Sequence, residues 1–232
     1  MKEGKIYFVT GIDTGIGKTA ATAAMLRWLL RRGTDATSMK LVQTGCEGSS
    51  EDLLAHRAAS GGETADDREG LTAPQIFRFP SSPALAAGLE GREVDVEAVS
   101  AAAAELARRH DAVLAEGAGG MLVPLRGALL EADFAAERGW PLLLVTCGRL
   151  GSLNHTLLSL EAAKSRGMDV AGVVFDEWPA ADPLIEADTK KEILRHLDRL
   201  GFERRLASFG RTGADGAPAD GAAEPDFSSI FP

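Results

Sequence analysis

Cysteine is scarce in this sequence. Cys46 and Cys147 are the only two and stand far apart. They make neither a disulfide framework nor a metal-ligand cluster. Cys147 ends an apolar run and reads as a buried packing residue, not a nucleophile. The four histidines, His56, His110, His155 and His196, also lack metal-ligand spacing and read as surface or packing residues. Positive charge is in deficit, with 25 Lys and Arg against 34 Asp and Glu and a net charge of −9. Without a basic stripe, non-specific nucleic-acid binding is excluded. No apolar run approaches the roughly 18 residues of a membrane helix, and no secretory pattern opens the chain. These absences lead to the expectation of a cytoplasmic protein with no nucleic-acid or membrane partner.

What the chain does have begins at Gly11-Ile-Asp-Thr-Gly-Ile-Gly-Lys-Thr19. An apolar run, Ile6–Thr10, precedes it, and a helical pattern, Ala20–Arg32, follows. Strand, glycine-rich loop and helix are the context of a phosphate-binding loop. Glycines let backbone N–H groups turn inward around an anion. The helix aims its N-terminus at the same place. Lys18 adds a mobile positive charge, and the Thr19 hydroxyl can hold Mg²⁺. The common pattern has four residues between the first glycine and Gly-Lys-Thr; here five separate Gly11 from Gly17. The bland alternative is an ordinary glycine-rich turn, which would not require this flanking pattern.

Further along, strand and helix patterns alternate. Ala36–Val42 reads as a second strand with Lys40 near its end. That lysine either reaches over the sheet edge toward phosphates or snorkels to the surface. Glu51–Ser60 reads as a helix, and Asp52 in its first turn reads, taken alone, as a capping or dipole residue. Gly61–Thr72 is polar and reads as a surface loop; Pro74–Phe79 reads as a short strand. Pro80-Ser-Ser-Pro83 opens another segment, and Asp95–Arg109 is an alanine-rich helix. Asp111–Ala115 is a strand running into Glu116-Gly-Ala-Gly-Gly120. A carboxylate at such a strand end is where a phosphate-binding-loop enzyme needs its second Mg²⁺-directed group. Then come a helix at Leu130–Arg138, an apolar strand at Pro141–Cys147, and a helix at His155–Ser165 after Gly148–Asn154. Val170–Phe175 is a strand ending at Asp176, Pro183–Leu200 a charged helix, and Arg205–Phe209 a last strand. Gly210–Pro232, rich in Gly, Ala, Pro and Asp, reads as mostly loop. This alternation predicts an α/β fold of one domain spanning residues 1–232: a doubly wound, mainly parallel sheet of P-loop NTPase type flanked by helices. Ligands in such folds sit beyond the C-terminal ends of strands. Thr14, Lys18, Lys40, Thr44 and Glu116 all fall at such ends.

These residues resemble the dethiobiotin synthetase family. The resemblance is carried by Gly11-x-Asp-Thr-x-x-Gly-Lys-Thr19 with its extra residue, Lys40-x-Val-Gln-Thr-Gly45 and Glu116-Gly-Ala-Gly-Gly120. Arg149-Leu-Gly-x-x-Asn-His-Thr156, and Ser82-Pro83 followed by Glu90-Gly91, add to it. The matches keep the family's order from about Ile6 to Asp176. The resemblance implies ATP-dependent carboxylation and ring closure of 7,8-diaminononanoate with CO₂, giving dethiobiotin. The implied route runs through a carbamate and a carbamic–phosphoric anhydride, and it needs no enzyme nucleophile.

The resemblance also implies site roles. Lys18, Lys40 and Thr14 are catalytic. Asp13, Thr14, Gly15, Ile16, Gly17, Lys18, Thr19, Glu116 and Asp176 hold the nucleotide. Thr19, Asp52 and Glu116 hold Mg²⁺. Thr44 and Gly119 contact the substrate. Ser152, Leu153 and Asn154 receive its distal carboxylate across a homodimer interface. Three positions depart from the family pattern. Leu41 replaces a proline. Ala84 replaces a histidine, so nothing is carried to it. Asp176 replaces an asparagine that reads adenine. A carboxylate only accepts hydrogen bonds, so altered nucleotide selectivity is expected; nor is a clear Gly-x-x-Pro segment found around Gly210.

Other readings are weaker. A P-loop switch ATPase acting on a protein partner commonly has an additional lysine early in the loop, where this chain has Ile12, Asp13 and Thr14. A related amidoligase would often need a glutaminase domain, for which there is no room. A nucleotide-binding regulator that has lost catalysis would not keep Lys18, Thr19, Lys40, Asp52 and Glu116 together.

Overall fold

The structure, a computed structural model, describes residues 3–213, 216–219 and 223–231. In chain order the first half contains β1 (Lys5–Gly11), α1 (Lys18–Arg31), β2 (Ala36–Lys40), β3 (Gln43–Thr44), α2 (Glu51–Ser60), α3 (Ala65–Arg68), β4 (Ile76–Phe77), α4 (Pro83–Leu89) and α5 (Val96–Arg109). The second half contains β5 (Ala112–Gly120), β6 (Pro124–Arg126), β7 (Leu129–Leu130), α6 (Glu131–Glu137), β8 (Leu142–Cys147), α7 (Ser152–Ser165), β9 (Val170–Asp176), α8 (Pro183–Leu200) and β10 (Leu206–Phe209).

The apolar runs become six strands in the order β10-β9-β8-β1-β5-β2. Every pairing in that sheet is parallel. β1 is central: β5 and β2 lie on one side of it, β8 to β10 on the other. The chain therefore switches direction at β1, which opens a crevice beyond its C-terminal end. Side chains alternate across each strand. Phe8, Val113, Leu142, Leu144, Val173 and Phe175 join one apolar layer. Tyr7, Val9, Leu114, Leu143, Val145 and Val174 join the other, with Met25, Leu26 and Leu29 of α1. Burial on both faces explains why the strands read as nearly continuous apolar runs.

The structure corrects several boundaries. α1 begins at Lys18, not Ala20, because Gly17 adopts a left-handed φ of 91° as its N-cap. Lys18 and Thr19 thus lie in the helix's first turn. β2 stops at Lys40, not Val42; Leu41 N–H donates to Glu116 O at 2.9 Å. The strand expected over Pro74–Phe79 is only β4, which pairs with β3. Within the expected loop Gly61–Thr72 lies α3, closed by a reciprocal cap between Thr64 and Asp67. β5 runs on through the glycines to Gly120. The β6–β7 hairpin was not legible in the sequence. α7 starts at Ser152, not His155, again after a left-handed glycine, Gly151.

In the tail, the described residues contain no helix, as expected of a loop, though Thr212 bridges Pro218. Its end is nevertheless core: Phe227 and Ile230 are buried. Phe231 meets Tyr7 edge-on at 5.2 Å, and Phe227 meets Trp28 at 6.1 Å. Glu224 pairs with Arg27 and Arg31 of α1. Among the described residues no helix is long and apolar enough to cross a membrane.

Candidate active site

Three strands deliver the site. β1 ends in the glycine-rich loop, β2 ends at Lys40, and β5 carries Glu116 and continues as Gly117–Gly120. A cleft of about 480 Å³ opens there. It is lined by Thr14, Gly15, Gly17, Lys18, Thr19, Lys40, Thr44, Asp52, Glu116 and Gly119, all expected site residues. A larger cavity of about 700 Å³ lies beside α2, lined by Leu53, Leu54 and Ile76. Its charges are matched already, since Arg57 and Asp67 form a 2.6 Å ion pair. The charged chemistry is in the smaller cleft.

At its floor, Lys40 Nζ lies 2.6 Å from Asp52 Oδ2 and 2.8 Å from Glu116 Oε1. It also donates to Gly117 O at 2.9 Å. Thr19 Oγ1 donates to Asp52 Oδ1 at 2.8 Å and to Glu116 Oε1 at 3.2 Å. Lys40 is only 4% exposed, so it does not snorkel. Burial opposes its charge, but Glu116 and Asp52 outweigh burial and hold it above the usual lysine range. Glu116 is fully enclosed; burial favours its neutral form, yet Lys40 and His56 hold it well below the usual carboxylate range. This pair is ionised because each partner is the other's counter-charge. Asp52 does not cap α2. Ser50 does, accepting Leu53 N–H at 3.1 Å, which frees the Asp52 carboxylate for Thr19 and Lys40.

Lys18 folds back onto its own loop, donating to Asp13 O at 2.9 Å. Burial pulls its pKa down, with the carboxylates of the site opposing. Thr14 is exposed on the loop, where its N–H donates to Asp13 Oδ1 at 2.8 Å. Thr44 Oγ1 donates to Ser81 O at 3.0 Å. Asp13 Oδ2 pairs with Arg149 at 2.6 Å, tying the loop to the segment before α7.

Not every expected residue joins the cleft. Ile16 is buried beneath the loop. Ser152, Leu153 and Asn154 open α7, beyond the end of β8 and outside the cleft. Ser152 Oγ is buried with no hydrogen-bond partner among the described residues. Asp176 sits at the end of β9 with Oδ2 against Gly17; a Cβ there would lie 2.1 Å from it. Its Oδ1 accepts Trp178 N–H at 2.8 Å. Burial raises Asp176 to about 7.

Two buried groups around Glu116 were not singled out from the sequence. His56 Nε2 lies 3.0 Å from Glu116 Oε2, and Thr22 Oγ1 donates to the same oxygen at 2.9 Å. His56 therefore does more than pack. Helical spacing was the available signal: His56 is four residues after Asp52, and Thr22 three after Thr19, each on its neighbour's face.

The oxygen set suits a hard cation. Among the described residues no three His, Cys, Asp or Glu side chains group around a metal position. Two carboxylates and one hydroxyl meet at Asp52, Glu116 and Thr19. Mg²⁺ keeps several waters and takes substrate phosphates, so it needs few protein ligands.

Comparison with known proteins adds the sequence relationship. The AAA domain family matches residues 5–208. The ATP-dependent dethiobiotin synthetase BioD of Chlorobaculum tepidum is 43% identical over 220 residues, spanning 94% of this chain and 92% of its own length. The chain belongs to the dethiobiotin synthetase family. The ATP-dependent dethiobiotin synthetase BioD 2 of Pasteurella multocida is 41% identical, over 84% of this chain and 92% of that protein.

Solved structures give the fold. A ParA family ATPase from Chlorobium tepidum superposes with a TM-score of 0.52 at 14% identity, over 91% of this chain and 86% of that one. The MinC:MinD cell division complex of Aquifex aeolicus contains a chain with a TM-score of 0.54 at 14% identity, over 93% and 87% of the two chains. These solved structures thus share the architecture, while the sequence sides with the synthetases. Within that family frame, the early-loop positions Ile12, Asp13 and Thr14 leave Lys18 and Lys40 as the lysines of the cleft.

Proposed function

We propose that this protein catalyses ATP-dependent carboxylation and ring closure of 7,8-diaminononanoate with CO₂, forming dethiobiotin in biotin biosynthesis. The observation that carries this reading is the cluster of Lys40, Asp52, Glu116 and Thr19 beside the glycine-rich loop and Lys18. It gathers cations and carboxylates where a transferring phosphoryl group would sit.

One amine attacks CO₂ and loses a proton, giving a carbamate. A carbamate oxygen attacks the γ-phosphorus of ATP, and ADP leaves. The second amine attacks the carbonyl carbon of the mixed anhydride and expels phosphate, closing the cyclic urea. Carbamate and γ-phosphate are both anionic and must approach. Lys18 and Lys40 offset that repulsion and stabilise charge on the transferring group. Backbone N–H groups of residues 15–19 and the α1 N-terminus hold the phosphates. Bound at Thr19, Asp52 and Glu116, Mg²⁺ would neutralise phosphate charge. Thr14, Thr44 and Gly119 face the carbamate and the substrate. Asp13 orders the loop through Arg149, and Asp176 lies toward the nucleotide.

Ser152, Leu153 and Asn154 fit a different role. They lie outside their own chain's cleft, which supports their serving the site of a partner subunit in a homodimer.

The test is incubation with ATP, Mg²⁺, bicarbonate and the diamine, with mass spectrometry of the product. The cyclic urea is expected. Lys40→Ala should lower turnover by about 10²-fold or more, the scale of losing one preorganised electrostatic group, while ATP binding is largely kept. Absence of product from well-folded protein would defeat the reading, and unchanged turnover in Lys40→Ala would remove Lys40 from the site.

A further inference from the structure

The peptide group joining Gly117 to Ala118 is gripped from both sides. Its carbonyl oxygen accepts from Lys40 Nζ at 2.9 Å. Its N–H donates to the Glu131 carboxylate, 2.9 Å to Oε1 and 3.1 Å to Oε2. Glu131 is the first residue of α6 and is fully buried. Its carboxylate occupies the space a side chain at 117 would need: a Cβ on Gly117 would lie 2.1 Å from Glu131 Oε2 and 3.0 Å from the Phe8 ring. Gly117 is thus glycine for want of room, and the room is filled by Glu131.

Burying a carboxylate against a single N–H donor is costly. Burial pushes Glu131 up to about 7, partly opposed by the Ala118 N–H and the charges of Lys40 and Lys18. An apolar side chain would fill the same space without that penalty. What it could not supply is an acceptor. A peptide group is planar, with its C=O and N–H pointing opposite ways. Fixing the N–H therefore fixes the carbonyl. A buried N–H left without a partner is unfavourable, and rotating the peptide plane would relieve it. Glycine at 117 makes that rotation easy. The rotation would carry Gly117 O away from Lys40 Nζ and shift Ala118 and Gly119, which line the cleft.

We propose that Glu131 is a positioning residue for the reaction: by accepting the Ala118 N–H it sets the Gly117–Ala118 peptide so that Gly117 O holds Lys40 Nζ against Asp52 and Glu116. This deepens the reading above and rests on Lys40 belonging to the reacting centre. Either protonation form of Glu131 accepts a hydrogen bond, so an amide can replace it.

The experiment compares Glu131→Gln, which keeps an acceptor, with Glu131→Leu, which fills the space without one. Glu131→Gln should keep kcat within about threefold, and Glu131→Leu should lose about 10- to 100-fold, the scale of a small misplacement of a reacting group. The KM for ATP should change little in either. Hydrogen exchange at the Ala118 amide should speed up in Glu131→Leu and not in Glu131→Gln. Gly117→Ala, whose methyl displaces the carboxylate, should match Glu131→Leu and serves if the leucine variant does not fold. Equal kcat in wild type and Glu131→Leu, or an equal fall in the Gln and Leu variants, would overturn the proposal. Lys40→Ala run alongside separates the two claims. If it leaves turnover unchanged, the assignment of Lys40 has failed, whereas Ala118 exchange still reads the grip of Glu131.

Discussion

At Asp176 a single residue's surroundings change what its chemistry can do. In sequence it is a carboxylate where the resemblance implies an amide, and a carboxylate can only accept. In the structure burial raises it to about 7, against the opposing Trp178 N–H. Near neutrality it is therefore divided between an acid, which donates and accepts as an amide does, and a carboxylate, which does not donate. The prediction is a pH-dependent choice of base. Below about 7 the acid form favours ATP; as pH rises through that value the donor is lost. The ratio of kcat/KM for ATP to that for GTP should fall about fivefold from pH 6 to pH 8, the worth of one hydrogen bond of roughly 1 kcal/mol. Asp176→Asn should hold the ratio flat. A pH-independent ratio in the wild type would take Asp176 out of base recognition. Lys40 and Glu116 were legible as strand-end residues, but their mutual burial was not, because the two positions are joined only by the β2–β5 pairing. Glu131 gave no sign of itself, since nothing local marks a carboxylate as buried.

Among the elements, those that bury an apolar face on their own pattern were readable. α8 has the expected bounds, and β1, β8 and β9 differ by a residue or so. Apart from α3, whose local Thr64–Asp67 cap lay within an expected loop, the misses included elements that exist through their partners. β3 is two residues long and forms only against β4, itself the short core of the strand expected over Pro74–Phe79. The β6–β7 hairpin is similar. The tail is the loop its composition indicates, but composition could not show its burial, which Phe227 and Phe231 decide. Phe227 is fully buried against Trp28. Phe227→Ala should cost about 3–5 kcal/mol, as for other buried aromatics, read by urea unfolding. A loss below about 1 kcal/mol, the range of surface substitutions, would mean that the tail is not part of the core.

For the whole molecule, the parallel sheet was legible from the alternation of strands and helices, and it places the candidate residues at one end, as doubly wound folds do. The separation of Ser152–Asn154 from the cleft appears only in three dimensions. If these residues serve a neighbour, two defective chains can repair each other. Lys40→Ala and Asn154→Ala proteins, each impaired alone, should recover activity when unfolded and refolded together, because one mixed site has both residues intact. No recovery, or a monomer at assay concentration by light scattering, would count against shared sites.

The contact of Tyr7 with Phe231 has a bearing on how the protein is made. β1 is the centre of the sheet, yet one face of it is covered in part by Phe231, far along the chain, beside the α1 residues Met25, Leu26 and Leu29. Tyr7 is made long before Phe231, so the part of that face that Phe231 covers stays open while the intervening chain is made. Nascent chains with uncovered apolar surface are prone to aggregate. The glycine-rich loop follows directly on β1, so it is synthesised before Phe231 and waits on it for the final packing of the strand that carries it.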